Sequence, residues 1–101
     1  MPAHGSKPSG VPEIDWKAPA IADLMAIVDY IADDNPDAAL ALLEDIESAV
    51  ARLADHPKRG RPGRVAGTRE LVIRSNYIAV YVETPTALSV VRVLHAARMW
   101  P

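Results

Sequence analysis

The residues with the most evident chemical potential are arginines in a short stretch rich in glycine and proline. Arg59, Arg61 and Arg64 lie within a span of six residues, next to Lys58. Glycine and proline disfavour helix and strand, so we expect a loop from which these charges project, here called the basic loop (residues 58–64). Guanidinium groups donate two parallel hydrogen bonds to a planar anion. The basic loop therefore predicts a site for phosphate or carboxylate groups, with a merely hydrated loop as the alternative.

His95 ends the last apolar run and is the second candidate for chemistry. A histidine near several arginines can act as a general acid or base, because its pKa lies near neutrality; a structural role is the alternative. None of the three histidines has a carboxylate three or four residues later, so we predict no metal site. Neither a glycine-rich phosphate loop nor a G-x-S-x-G motif is present, and we expect no cofactor.

Charge divides the chain into two halves. Residues 1–50 contain 2 Lys or Arg against 10 Asp or Glu, and residues 51–101 contain 9 against 3, which together make the 11 and 13 of the whole chain. The net charge of −2 therefore hides an acidic half followed by a basic half. This asymmetry predicts two surfaces for partners of opposite sign, unless the two halves are charged by chance.

The composition indicates one folded domain. The chain has 101 residues, of which 50% are apolar, too few for two domains and too apolar for a disordered chain. Cysteine is absent, which fits the reducing cytoplasm, where we expect the protein to act. No apolar run approaches the ~18 residues of a membrane span, and the N-terminus does not resemble a signal peptide. We expect residues 1–10 to be disordered and residues 11–101 to form a single domain.

Hydrophobic periodicity and turn residues predict the elements that position these side chains. A short strand is expected first, then two helices joined by a short connection, then three strands separated by short turns. The predicted order is β-α-α-β-β-β, an α+β fold in which a helical hairpin packs on a small, mostly antiparallel sheet. The expected elements are a strand at Glu13–Trp16, helices at Lys17–Asp33 and Pro36–Asp55, and strands at Thr68–Ile73, Tyr77–Glu83 and Ala87–Leu94.

The first predicted helix is too apolar to have only one buried face. Its periodic apolar positions are Ile21, Leu24, Val28 and Ile31, and the additional ones are Met25, Ile27 and Tyr30. A helix with so wide a stripe needs cover on a second side, which either the sheet or a partner helix would provide.

The predicted elements and their motifs resemble the ParE/RelE toxin superfamily of bacterial toxin–antitoxin modules. The resemblance extends from about Glu13 to Trp100, and the tail from Val93 to Arg98 is similar to the ParE branch in particular. The residues that carry it are Ala22-Asp23-Leu24 and Ile27–Ile31 in the first helix, the Gly60–Arg64 loop, Gly67–Leu71, Tyr77–Tyr81 and Arg92–Arg98.

The resemblance implies one of two toxic activities. RelE-like members cut messenger RNA on the ribosome, and Arg69, Arg74 and His95 would then be the nuclease residues. ParE-like members inhibit DNA gyrase by binding it. Some nucleases of the superfamily carry tyrosine where Ala96 stands, so the gyrase activity is favoured and no catalytic residue is expected. The contact residues for gyrase would be Arg59, Arg61, Arg64, His95, Arg98 and Trp100. A third alternative is a member that only binds an antitoxin or takes part in repression.

The resemblance also implies a protein partner. ParE-like toxins are neutralised by a small ParD-like antitoxin, which has a ribbon-helix-helix DNA-binding domain and a tail that covers the toxin. We expect a hetero-oligomer, with no membrane association and no sequence-specific DNA binding by this chain itself. Ile27→Asp is expected to weaken antitoxin binding more than folding. The antitoxin is expected to contact the wide apolar stripe at Leu24, Met25, Ile27, Val28, Tyr30 and Ile31.

Overall fold

The computed structural model describes residues 13–96 and confirms the predicted α+β fold. The expected disordered segment 1–10 and two expected contact residues, Arg98 and Trp100, lie outside the described residues. One strand is additional, a two-residue strand within the basic loop. The elements are β1 (Glu13–Trp16), α1 (Ala18–Ala32), α2 (Pro36–Arg52), β2 (Arg61–Pro62), β3 (Arg69–Ile73), β4 (Tyr77–Glu83) and β5 (Ala87–His95).

The five strands form one sheet in the order β1-β5-β4-β3-β2. Strand β1 runs parallel to β5, and the other neighbours are antiparallel. The continuous apolar run Tyr77–Tyr81 occupies the central strand β4, where all five residues are buried. A strand buried on both faces has no polar face, which is why this run lacks the alternation of a half-exposed strand.

The helical hairpin follows from the residues at its ends. Pro19 lies in the first turn of α1, where its missing N–H costs no hydrogen bond. Asn35 Oδ1 accepts a 3.0 Å hydrogen bond from the N–H of Ala38 and so caps α2. Helix α2 ends at Arg52, three residues before the expected Asp55. The buried face of α2 carries Ala39, Leu42, Ile46 and Val50, and the buried Leu53 follows at its C-terminal end; Leu43 lies at the margin of this face.

A β-bulge determines which residues of β5 face the helices. The register shifts between Val80, which is opposite Arg92, and Tyr81, which is opposite Val90. The extra residue reverses the alternation of β5, so that Leu88, Val90 and later Val93 all enter the helix-side core. Residues on the other side of the sheet, here called the far face, include a second buried cluster of Ile78, Val80 and Leu94.

Helix α1 is anchored to the edge of β5 by Asp23. Its carboxylate accepts a 3.0 Å hydrogen bond from the N–H of Val93, a group that β1 is too short to reach. The same carboxylate makes two hydrogen bonds to the guanidinium of Arg92, at 2.6 and 3.1 Å. These bonds to Asp23 raise the pKa of Arg92. One side chain thus satisfies the open sheet edge and fixes α1 against it. Neither α1 nor α2 has the length and apolarity of a membrane-spanning helix.

Candidate functional site

The basic loop is held against the sheet by a buried tyrosine. Tyr81 lies on the helix side of β4 with none of its surface exposed. Its hydroxyl donates a 2.6 Å hydrogen bond to the carbonyl of Pro57 and accepts a 3.0 Å bond from the N–H of Gly60. Burial raises the pKa of Tyr81 above its ordinary value of 10.0, and the Gly60 hydrogen bond and Arg69 oppose the shift. One core side chain therefore fixes two backbone groups, one just before the basic loop at Pro57 and one within it at Gly60.

Gly60 is required by this close approach. A Cβ at position 60 would lie 2.6 Å from the Tyr81 hydroxyl and 2.9 Å from the carbonyl oxygen of Glu70. Both distances are below any contact that a methyl group tolerates, and one of the two atoms belongs to rigid backbone. Only glycine lets the basic loop pass this close to β3 and β4.

A buried carboxylate neutralises part of the basic loop. Glu70 is 4% exposed on the far face, and its two oxygens lie 3.3 Å from Nη2 of Arg61 and 3.1 Å from the N–H of Arg64. A buried carboxylate needs such partners, because it has lost its water. The expectation that the loop charges project together is therefore only partly met, since Arg61 is paired with Glu70 while its side chain stays 57% exposed. A weak signal for Glu70 as a functional residue is that it is the one acidic residue in its strand.

Arg69 closes the same end of the sheet from the helix side. Its Nη1 donates a 2.7 Å hydrogen bond to the carbonyl of Gly60, and its Nε lies 3.8 Å from Glu83. Lys58 also reaches Glu83, at 3.2 Å. The guanidinium of Arg69 is thus occupied in holding the basic loop.

The other two nuclease candidates lie at the opposite end of the sheet. Arg69 pairs with Tyr81 while His95 pairs with Tyr77, four residues away along β4, a separation of about 13 Å. Arg74 follows Ile73, the residue paired with Tyr77, and so lies near the His95 end. The His95 ring packs edge-on against Tyr77, with centroids 5.3 Å apart, and Arg74 Nε donates a 2.6 Å bond to Asp45. The structure therefore groups Arg74 with His95 and leaves Arg69 apart.

The four expected gyrase-contact residues in the described part of the chain do not form one patch either. Arg61 and Arg64 lie beside Glu70, Arg59 faces the space between α2 and β3, and His95 is at the far end of the sheet. Within residues 13–96, no three His, Asp or Glu side chains are grouped as ligands for a metal ion would be.

An apolar groove lies between the two helices, here called the hairpin groove. It has a volume of about 440 Å3, and its lining is almost entirely apolar apart from the carboxylates of Asp29 and Glu47. Two of its α1 side chains, Ile21 and Met25, are 45% and 56% exposed. The lining residues are Trp16 of β1, Ile21, Leu24, Met25, Val28 and Asp29 of α1, and Leu43 and Glu47 of α2.

The structure divides the six expected antitoxin-contact residues between three places. Leu24, Met25 and Val28 line the hairpin groove. Ile27 and Ile31 pack against the core of the domain instead. Tyr30 is 80% exposed but does not line the groove, because it follows Met25 by five residues and so lies about 140° around the helix. Ile21 and Leu43, which were not expected, complete the groove.

A helical hairpin on an antiparallel sheet, with an arginine-rich loop fastened across one sheet end, defines the class of small α+β toxins in the ParE/RelE superfamily. The family described as ParE toxin of type II toxin–antitoxin system, parDE, matches residues 14–100. The chain therefore belongs to the ParE toxin family of type II toxin–antitoxin systems.

Two relatives and one solved structure are similar to this chain in sequence, and a second solved structure is similar in fold. Toxin Y4kP of Sinorhizobium fredii is 38% identical over 88 residues, which cover 87% of this chain and 92% of the relative. Toxin RelE2 of Caulobacter vibrioides is 38% identical over 87 residues, covering 86% and 98%. The chromosomal ParDE system from P. aeruginosa is similar with a TM-score of 0.77 and 27% identity, covering 86% of this chain and 98% of that one. The fold also matches the RelBE2 complex from Mycobacterium tuberculosis, with a TM-score of 0.61 and 24% identity over 92% and 100% of the two chains.

Proposed function

We propose that this toxin acts by binding DNA gyrase and not by cutting RNA. The observation that carries the proposal is the position of Arg69, which lies about 13 Å along β4 from the level of His95 and is hydrogen-bonded to the carbonyl of Gly60. The match to the ParE family supports the same target, because resemblance to ParE-like toxins implies inhibition of gyrase. Action on gyrase would take place in the cytoplasm.

A ribonuclease would need a different arrangement. Transfer of a phosphoryl group to the 2′-hydroxyl requires a base, an acid and cationic groups within hydrogen-bond reach of one phosphate. Arg69, Arg74 and His95 do not meet around a common point, and Arg74 is paired with Asp45. A protein that acts by binding needs no such convergence, because separate contacts across a surface can each contribute.

We propose that gyrase contacts the end of the sheet where the basic loop is fastened. Arg59 and Arg64 lie there, with the loop held by Tyr81 and Glu70 in one conformation. A fixed loop loses little conformational entropy on binding, which favours affinity. The proposed contact set also includes His95, at the opposite end of the sheet, and Arg98 and Trp100, which lie outside the described residues.

We also propose that a ParD-like antitoxin neutralises the toxin by placing an amphipathic helix in the hairpin groove. Solved neighbours of this fold are complexes of ParDE and RelBE systems, which supports a protein partner of this kind. The apolar lining suits the apolar face of such a helix. The carboxylates of Asp29 and Glu47 at the groove favour a helix with lysine or arginine beside its apolar face.

The two targets are distinguished with the purified toxin in parallel assays. Gyrase supercoiling should be inhibited by the wild-type toxin, and ribosomal translation with messenger RNA cleavage should be unaffected. Arg74→Gln removes a nuclease candidate that is paired with the exposed Asp45, so the variant should inhibit gyrase within about two-fold of wild type. Cleavage of messenger RNA that Arg74→Gln abolishes, with supercoiling unaffected, would establish the ribonuclease instead.

A further inference from the structure

A cleft lies between α2 and β3 and is here called the basic cleft. Its volume is about 540 Å3, and it shares no lining residue with the hairpin groove. It receives an arginine from each of three parts of the chain, which are the end of α2, the basic loop and the turn after β3. The lining residues are Asp45, Ser48, Ala49, Arg52, Arg59, Leu71, Val72, Ile73 and Arg74.

A second hollow adjoins the basic cleft and is here called the loop hollow. The side chain of Arg59 lines both, so the two spaces meet at this residue. The loop hollow has a volume of about 460 Å3 and adds Lys58 and His56 to the basic side chains, together with Pro57 and Glu83. Basic side chains therefore line two neighbouring spaces on either side of Arg59.

The carboxylates that line these two spaces are already paired, whereas two of the arginines are not. Asp45 is paired with Arg74, and Glu83 lies within ion-pair distance of two other cations. In the described part of the chain, residues 13–96, no ion pair involves Arg52 or Arg59. Both side chains belong to exposed residues. Two guanidinium groups are thus available to an anion from solution.

Two neutral donors also line the basic cleft. The N–H of Gly63 donates to the carbonyl of Thr68, so Thr68 directs its backbone polar groups to the outer side of β3. Residues separated by an even number of positions along a strand share this direction, so the N–H of Val72 points outward as well. Strand β2 pairs only with the first two residues of β3 and does not cover it. Ser48 of α2 contributes a hydroxyl to the same lining.

This set of donors fits phosphate groups arranged in a row. Guanidinium forks, hydroxyls and backbone N–H groups are the donors that proteins use for phosphate oxygens of nucleic acids. Because Arg52 and Arg59 come from different elements and Arg59 also lines the loop hollow, a ligand that contacts both must carry more than one charge. The backbone of a nucleic-acid strand carries one charge per nucleotide and meets this requirement.

We propose that the basic cleft and the loop hollow bind the phosphodiester backbone of DNA, with Arg52 and Arg59 on neighbouring phosphates. Such contacts do not read the bases, so binding is independent of sequence. Arg74 is assigned no phosphate, because Asp45 holds it. The choice of DNA over RNA rests on the proposed function, in which the toxin binds gyrase and so lies next to the DNA that gyrase holds.

The test measures binding of a short fluorescein-labelled DNA duplex to the full chain by anisotropy, without gyrase and at ~20 mM salt, where few phosphate contacts suffice. Two duplexes of unrelated sequence should bind equally, with a slope of log affinity against log salt of about −2. Arg52→Gln should weaken binding about 5-fold or more and reduce the slope by about 1. The matched Lys17→Gln removes an exposed cation at the opposite edge of the sheet and should stay within about two-fold.

Asp45→Asn tests the basic cleft with the opposite sign. It removes the carboxylate of the cleft and releases Arg74, so the duplex should bind about 3-fold more tightly or better. Lack of binding by wild type would overturn the proposal, as would equal losses for Arg52→Gln and Lys17→Gln. An RNA strand that binds ~10-fold more tightly than DNA would overturn the choice of DNA. Polyglutamate of equal charge that competes as well as DNA would assign the cleft to an acidic protein instead.

Gyrase supercoiling is measured separately with the same proteins. A toxin that binds the duplex but leaves supercoiling unaffected supports the DNA site and contradicts the proposed target. A toxin that inhibits supercoiling but does not bind the duplex supports the target and overturns the DNA site. The two proposals therefore fail by different measurements.

Discussion

At the residue scale, the hydroxyl of Tyr81 determines the conformation of the basic loop. It is the one group that bonds both Pro57 and Gly60, and it does so from inside the core. Tyr81→Phe retains the ring and leaves the Gly60 N–H and the Pro57 carbonyl without their partner. We expect a loss of about 1–3 kcal/mol in the free energy of unfolding, measured by urea denaturation.

Tyr77→Phe is the matched control for this substitution. Tyr77 is also buried in β4, but its ring and not its hydroxyl makes its described contact, with His95. It should cost less than Tyr81→Phe. Equal losses for the two variants would show that the Tyr81 hydroxyl does not stabilise the basic loop.

The raised pKa of Tyr81 predicts how stability depends on pH. Burial keeps the phenol protonated in the folded state at pH values where the unfolded chain, with a pKa near 10.0, has begun to release the proton. The unfolded state then binds fewer protons, so the stability contributed below pH 10 is lost as pH rises through the folded pKa. Urea unfolding at pH 8, 10 and 11 should show wild type approaching Tyr81→Phe. A difference between the two that stays constant over this range would contradict the assigned shift.

The candidate residues of the site could be identified from the sequence, but the side chains that they contact could not. The cluster of Arg59, Arg61 and Arg64 was evident from composition, yet nothing in its spacing revealed that Arg61 pairs with Glu70. That pair joins residues nine apart through the β2–β3 ladder. A two-residue strand containing proline leaves no periodicity to detect, so the partner could not be inferred.

At the element scale, Asp23 joins α1 to the sheet. Asp23→Ala removes both the acceptor for the Val93 N–H and the partner of Arg92. Val93 is 2% exposed, so its N–H gains no full replacement from water. We expect a loss of about 2–3 kcal/mol in the free energy of unfolding by urea or thermal denaturation.

Asp45→Ala is the control for the Asp23 prediction. Asp45 also pairs with an arginine, Arg74, but both side chains are about half exposed, at 53% and 42%. Exposed pairs contribute little, so this variant should lose no more than about 0.5 kcal/mol. Comparable losses at the two positions would mean that the sheet-edge bond of Asp23 contributes nothing.

The order and type of the elements were predictable because each has a local signal. Asn35 and Pro36 predict the start of α2, and the apolar run Tyr77–Tyr81 predicts a central strand. The bulge opposite Val80 and Tyr81 has no such signal, since valines occupy both faces of β5. The turn after β3 was expected, but the left-handed backbone at Arg74 and Ser75 was not, because neither residue is glycine or asparagine.

At the scale of the whole molecule, the sequence predicted an over-apolar first helix, and the fold decides which part of it is open. Met25 is 56% exposed in the hairpin groove, whereas Ile27, proposed from the sequence for the same test, packs against the core. Met25→Asp should therefore weaken binding of a ParD-like antitoxin by at least ~10-fold, with little change in the thermal midpoint. Isothermal titration with the antitoxin measures the affinity.

Tyr30→Asp is the matched control for the hairpin groove. Tyr30 is 80% exposed on another side of the same helix, so the same charge there should leave antitoxin affinity within about two-fold. An equal effect of the two substitutions would place the antitoxin on a different face of α1. The α1 side of the hairpin groove could be predicted from the sequence, but its α2 side could not, because Leu43 and Glu47 join it only through the packing of the hairpin.

The parallel pairing of β1 with β5 affects when the chain can fold during its synthesis. Of the described strands, Glu13–Trp16 is synthesised first, and it bonds to Ala87–Val90 in β5, the last of them to be synthesised. The helical hairpin is translated between them, and its apolar face stays uncovered until the later strands β3, β4 and β5 have been synthesised. The sheet of a nascent chain therefore cannot close before β5 has been synthesised, and a tight-binding partner protein that is already present meets the chain as β1 and β5 first pair.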